Sequence, residues 1–104
     1  MPMTLPPPVA AYFAASTPQA IAATFTEDAL VTDERRTHRG RAAILAWREE
    51  VAQIAFQQEI LRAAPQGDGF RVTCRVSGSF PGSPVELDYD FRLAGDAISR
   101  LEIR

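Results

Sequence analysis

The residues of this 104-residue chain whose types suit chemistry are few: Asp33, His38, Cys74, Tyr12, Tyr89 and a run of arginines. Asp33 closes Ala29-Leu30-Val31-Thr32, which reads as a short strand. A carboxylate at a strand end that faces an apolar interior loses hydration, its pKa rises, and it can then move a proton near neutral pH. Facing water, or paired with Arg35, Arg36 or Arg39, the same group is only a surface charge. Tyr12 and Tyr89 could donate a hydrogen bond to a carbonyl or a developing enolate if enclosed in a pocket. The alternative is a core aromatic whose hydroxyl finds a backbone carbonyl. His38 is the only histidine. Its arginine neighbours would lower its pKa if close, and it serves either as an acid or base or as an exposed loop residue.

Arg35, Arg36, Arg39 and Arg41 precede an apolar-striped segment. If that segment is a helix, its free N–H groups and dipole favour anions, and the arginines would add a carboxylate or phosphate site. The other reading is a solvated loop balanced by Asp28, Asp33 and Glu34. Cys74 falls on the apolar side of an alternating run, lacks a cationic surround, and reads as a small buried hydrophobe. One His and one Cys fall short of a metal site, and no glycine-rich phosphate loop is present. No cofactor is expected.

The elements that must position these residues follow from period. Val9, Tyr12, Phe13 and Ser16 share a helical face behind Pro6-Pro7-Pro8, and Thr17-Pro18 marks a second helix start with Ile21, Thr24 and Phe25 inside. Thr26-Glu27-Asp28 reads as a turn and Asp33 to Arg39 as a polar loop. Ile44, Trp47 and Val51 stripe a third helix over 41–52, with Arg48, Glu49 and Glu50 mainly off the stripe. The second half changes period. Phe70, Val72, Cys74 and Val76 alternate with polar residues, and so do Val85, Leu87, Tyr89, Phe91 and Leu93. These are half-buried strands joined through Pro81-Gly82-Ser83-Pro84. A weaker strand over 53–61 and a last one over 97–103 complete the set. Consecutive hairpins imply a largely antiparallel sheet, and three helices must cover one face of it, an α+β layer arrangement.

Composition bounds the class. Apolar residues make up 46% and charged residues 23%, ordinary for one globular domain that buries a core, so residues 1–104 read as a single domain with 1–7 flexible. The net charge is −2 and every basic residue is arginine. That balance argues against nucleic acid. No apolar stretch reaches membrane length, no signal peptide is visible, and a lone cysteine fits a reducing compartment, so a cytoplasmic location is expected.

Phe25-Thr26-Glu27-Asp28-Ala29-Leu30-Val31-Thr32-Asp33, then His38-Arg39-Gly40-Arg41-Ala42-Ala43-Ile44 with Trp47, resembles the SnoaL-like branch of the nuclear transport factor 2-like superfamily. The ending Asp90-Phe91-Arg92-Leu93-Ala94-Gly95-Asp96-Ala97-Ile98 resembles that family's last hairpin. The resemblance implies a cone-shaped, curved, mostly antiparallel sheet covered by three helices, a cystatin-like roll with an apolar pocket, and a homodimer, often through the outer sheet face. Ketosteroid isomerases of this fold keep a catalytic aspartate just after the first strand, the place of Asp33, and a tyrosine on the first helix, matched by Tyr12. Their second acidic donor sits on a late strand where this chain has Tyr89. Asp88 and Asp90 flank it but point to the opposite face. That departure argues against true ketosteroid isomerase chemistry.

The resemblance thus implies a pocket of Tyr12, Phe13, Phe25, Trp47 and Phe56 on one side and Gln58, Cys74, Tyr89 and Phe91 on the other, with Arg39 toward an anionic group. The expected function is cofactor-free isomerase, cyclase or dehydratase chemistry on a small carbonyl or polyketide-like compound. Asp33 would be the acid or base, Tyr12 or Tyr89 the oxyanion donor, and His38 an assistant. The alternatives are a non-catalytic binder of a small apolar molecule, or a dimerisation module whose cone is filled by its own side chains. Opposed Arg71, Arg75 and Arg92 and Glu86, Asp88 and Asp90 on the outer face would pair across strands or form a polar dimer surface.

Overall fold

Proline opens both short helices. The computed structural model describes residues 4–104. Helix α1 (Pro7–Ala14) carries prolines in its first turn, where a missing N–H costs nothing. Helix α2 (Pro18–Ala22) is capped by Thr17, whose hydroxyl accepts from the Ala20 N–H at 3.0 Å. Of the segment 1–7 expected to be flexible, residues 1–3 lie outside the described residues. Leu5 packs against the core and Pro7 belongs to α1.

Strands β1 (Phe25–Asp33) and β2 (Arg36–Arg39) precede helix α3 (Arg41–Val51), and β3 (Phe56–Gln66), β4 (Gly69–Gly78), β5 (Val85–Ala94) and β6 (Ala97–Ile103) follow it. They form one curved, mostly antiparallel six-stranded sheet in the order β2-β1-β6-β5-β4-β3, covered by the three helices, an α+β fold. Among the described residues the one parallel contact joins β1 to β6, pairing Val31 with Leu101 and Asp33 with Ile103. It brings Asp33 beside the end of the last strand.

Three expectations are corrected. Thr26-Glu27-Asp28 is not a turn but part of β1, which bulges between Phe25 and Leu30, so polar side chains sit in a strand without reaching the core. Asp33 to Arg39 is not a loop. It is a hairpin in which Asp33 pairs with Arg36 around Glu34 and Arg35, at φ 52° and 66°. Two positive φ values in a two-residue turn match the twist of paired strands, a geometry usually announced by Asn-Gly rather than Glu-Arg. Strand β3 starts later than expected and runs to Gln66, and its register shift between Ile60 and Arg62 explains its weak alternation.

The inner face is built as the alternation requires. Cross-strand pairs Phe70–Phe91, Val72–Tyr89 and Cys74–Leu87 share it, and α1 lays Tyr12 and Phe13 onto Tyr89 and Phe91 with ring centroids 5.4–6.4 Å apart. Gly40, at φ 86°, sits between β2 and α3 and donates its N–H to Ala29 O at 2.8 Å. A side chain would be strained there.

On the outer face Asp90 accepts from Arg71 at 2.7 Å and from Arg104 at 2.6 Å. The Arg71 hydrogen bond, foremost, holds the Asp90 carboxyl below its ordinary 3.8. A carboxylate depressed in the folded state contributes stability that is present above its unfolded pKa and is lost as pH falls through the folded value. Wild-type chain should therefore lose more urea resistance between about pH 6 and pH 3 than Asp90→Asn does. Equal losses would show that this network is energetically idle.

Candidate functional site

The open side of the curved sheet, between α3 and β5, holds a cleft of about 610 Å³. Helix α3 supplies Trp47, Arg48 and Val51. Ile54 and Phe56 follow it, and Val76, Val85, Leu87, Tyr89 and Ile103 come from the sheet. Phe80 and Pro81 of the β4–β5 loop stand opposite, and Asp33 and Glu34 enter from the end of β1. The lining is predominantly apolar with few polar groups, and the volume is that of a small-molecule site.

Asp33 is half-buried, and its Oδ2 accepts the Trp47 indole N–H at 3.1 Å. The indole is itself fixed. It is 4% exposed, and the His38 ring stacks on it at 5.7 Å and 25°. His38 thus does not line the cleft; β2 places it opposite Val31, behind Trp47. The loop position expected for it is corrected by that pairing.

Tyr89 lines the cleft and donates its hydroxyl to Gln58 Oε1 at 3.2 Å, not to a backbone carbonyl. Burial drives its phenol far above the ordinary range, so it stays a protonated donor at any physiological pH. Tyr12, 2% exposed, lies beneath the cleft rather than in its wall. Burial pushes its phenol up to about 12, opposed by the Arg48 charge and reinforced by Asp33.

Of the other expected lining residues, Trp47 and Phe56 reach the cleft. Phe25, Cys74 and Phe91 do not, being 0–1% exposed in the core, and Phe13 is spent on Tyr89 and Phe91. The Cys74 thiol, pushed up to about 11 by burial, is no nucleophile. Gln58 lines an adjoining recess of about 370 Å³ instead. The arginine cluster disperses: Arg41 donates to Phe25 O, Arg36 reaches Glu50 at 3.7 Å, Arg35 occupies the turn, and Arg39 lies exposed on the edge strand. None of the four lines the cleft.

The polar group the sequence reading passed over is Arg48. It follows Ile44 by four residues and precedes Val51 by three, so it lies beside the apolar stripe of α3, half-buried, rather than clear of it. Its guanidinium lies 5.1 Å from the Trp47 ring and 5.9 Å from the Tyr12 ring, within cation–π range. Its Nη1 donates weakly to the Tyr12 hydroxyl at 3.5 Å, and its buried Nε has no partner among the described residues. A carboxylate, a phenol donor and a guanidinium thus line one apolar volume. Among the described residues no three of His, Cys, Asp or Glu converge as metal ligands, and no helix is long and apolar enough to cross a membrane.

Known structures share this architecture. The candidate polyketide cyclase SMa1630 from Sinorhizobium meliloti is 40% identical, covering 96% of this chain and 95% of its own, at a TM-score of 0.88. A ketosteroid isomerase-like-fold protein from Catenulispora acidiphila, solved with trimethylamine, is 23% identical over 97% of this chain and 86% of its own, at 0.82. A cystatin-fold protein from Novosphingobium aromaticivorans is 20% identical over 99% of both, at 0.75. The last two speak to the fold alone. No curated protein matches the chain significantly. The SnoaL-like domain matches residues 9–102, and the chain belongs to that family, within the nuclear transport factor 2-like superfamily.

Proposed function

We propose that this chain is a cofactor-free acid–base catalyst acting on a small, largely apolar carbonyl compound held in the cleft. The observation that carries the reading is Asp33. One of its oxygens is fixed by the Trp47 indole N–H at 3.1 Å, at the edge of an apolar volume of about 610 Å³. A carboxylate so oriented takes a proton from the carbon beside a carbonyl, leaving an enolate, and returns it to the same carbon or to a neighbouring one. The Tyr89 phenol, still protonated, exchanges its bond to Gln58 for one to the enolate oxygen. Two left-handed residues immediately after Asp33 hold the strand end, the kind of strain that persists where surrounding structure over-determines it. The 40% identity to a candidate polyketide cyclase supports a polyketide-like carbonyl as substrate class.

A second reading, a binder without turnover, is favoured by one fact. Asp33 and Tyr89 both already have partners inside the chain.

Deuterium uptake separates the two. Apolar ketones and keto acids are incubated with the protein in D2O, and loss of the signal of the C–H beside the carbonyl is followed by NMR. Exchange about 10²-fold or more above buffer supports proton transfer. A compound that shifts the Trp47 indole N–H signal yet never exchanges leaves the chain a binder.

A further inference from the structure

Two basic side chains line the cleft, Arg48 and Arg104. Arg104 is committed, since its guanidinium reaches Asp90 at 2.6 Å and Glu102 at 3.5 Å. Arg48 is different. Among the described residues no carboxylate oxygen comes within 4.0 Å of it, its Nε is buried without an acceptor, and its best hydrogen bond is the long one to Tyr12. Two aromatic rings flank it. Leaving a buried donor without a partner is costly, more so when it is charged, and such groups are ordinarily satisfied. An arginine in this state beside an apolar volume lacks an anion. We infer that Arg48 binds the carboxylate of the ligand, so that the compound held in the cleft is a small apolar carboxylic acid.

The chemistry on either side of Arg48 fits. Its planar fork suits a carboxylate bidentately, and the Trp47 and Tyr12 rings lie within cation–π range of it. Arg48 lines both the main cleft and the adjoining recess, so an anion at its head places the apolar body of the ligand against Phe56, Leu87 and Val51. Asp33 and Glu34 are the acids of the same cleft, and both enter from the end of β1. They disfavour a carboxylate at that end and leave the α3 wall for it. The ligand is then held in one sense, its acid at Arg48 and its reactive carbonyl region toward Asp33. This rests on the cleft reading above and narrows its substrate class.

The test compares 3-phenylpropanoate with its neutral isostere 3-phenylpropanamide, titrated into the whole chain and read on the NMR signals of the Trp47 indole N–H and the Arg48 Nε–H. The acid should bind at least tenfold more tightly than the amide and should move both signals. In Arg48→Met the preference should fall to within about threefold while amide binding persists. In Arg48→Lys, which keeps the charge but not the fork, part of the preference should survive. Equal binding of acid and amide by the wild-type chain overturns the inference without touching the proton-transfer reading, and needs no variant that must fold. A preference undiminished in Arg48→Met overturns it too. If neither compound moves either signal, both the carboxylate assignment and the cleft reading beneath it fall.

Discussion

Phe91→Ala should lower the unfolding free energy by about 3–5 kcal/mol, the largest loss expected from any single truncation on the inner sheet face. Phe91 is 1% exposed, and its ring meets Tyr12 at 5.4 Å, Phe13 at 5.9 Å and Tyr89 at 6.5 Å. Removing it takes away the transfer energy of a phenyl group and leaves a cavity. The surrounding rings cannot collapse into that cavity, because two belong to α1 and one to the same strand. The edge-to-face contacts with Tyr12 and Phe13 add about 0.5–1.5 kcal/mol per pair beyond area burial. A domain of this length has roughly 5–15 kcal/mol in all, so the variant should be partly unfolded at rest. Urea denaturation of Phe91→Ala beside Phe13→Ala checks the geometry. Phe13 is only half-buried and should cost clearly less. If Phe91→Ala costs under about 1 kcal/mol, α1 does not seat on β5 as described.

Phe91 was legible in the sequence because Val85, Leu87, Tyr89, Phe91 and Leu93 keep period 2 without a break, and a strict alternation fixes which face is buried. The same argument placed Cys74 inside and Arg71 and Asp90 outside. What local pattern did not carry was anything set by partners far apart in the chain. The parallel pairing of β1 with β6 joins the two halves and leaves no local mark. Strand β2 is four polar residues, Arg36 to Arg39, on the sheet edge, where no side chain need be apolar. The turn before it uses Glu34 and Arg35 at positive φ, where sequence patterns lead one to look for glycine or asparagine.

The site was legible in part for a related reason. Asp33, Trp47, Phe56 and Tyr89 were all expected in the pocket, and all four line the cleft. That Asp33 and Trp47 bond each other was not expected, since the link joins a strand end to the second turn of a helix fourteen residues later. Residue type misled for Arg48. A charged side chain was read as mainly off the apolar stripe, although its spacing from Ile44 and Val51 places it beside them and leaves it half-buried. Long basic side chains lie along apolar surface routinely, and spacing is the better guide to where the stem goes. The aromatic inventory misled in the other direction. Tyr12, Phe13, Phe25 and Phe91 pack into the core, and the cleft is lined instead by residues such as Ile54, Phe80 and Leu87.

Asp33→Asn should cut deuterium exchange by about 10²–10⁴-fold while leaving ligand affinity within about threefold. The substitution is nearly isosteric, and the amide oxygen still accepts from the Trp47 indole N–H, so the fold and the cleft wall persist while the proton acceptor is lost. Trp47→Phe tests the other half of the pair. It keeps an aromatic wall and the carboxylate but removes the donor that fixes it, and a loosened catalytic group costs less than an absent one. Its loss should therefore fall between wild type and Asp33→Asn, with most of the change in the rate and not in binding. His38 supplies the internal control. Its ring backs Trp47 at 5.7 Å, so His38→Gln should act only by loosening the indole and should cost less than Trp47→Phe. Should His38→Gln abolish exchange while Asp33→Asn retains it, the imidazole is the base and the proposed role of Asp33 is wrong. The ordering Asp33→Asn, then Trp47→Phe, then His38→Gln is what a carboxylate held by an indole, itself held by an imidazole, requires.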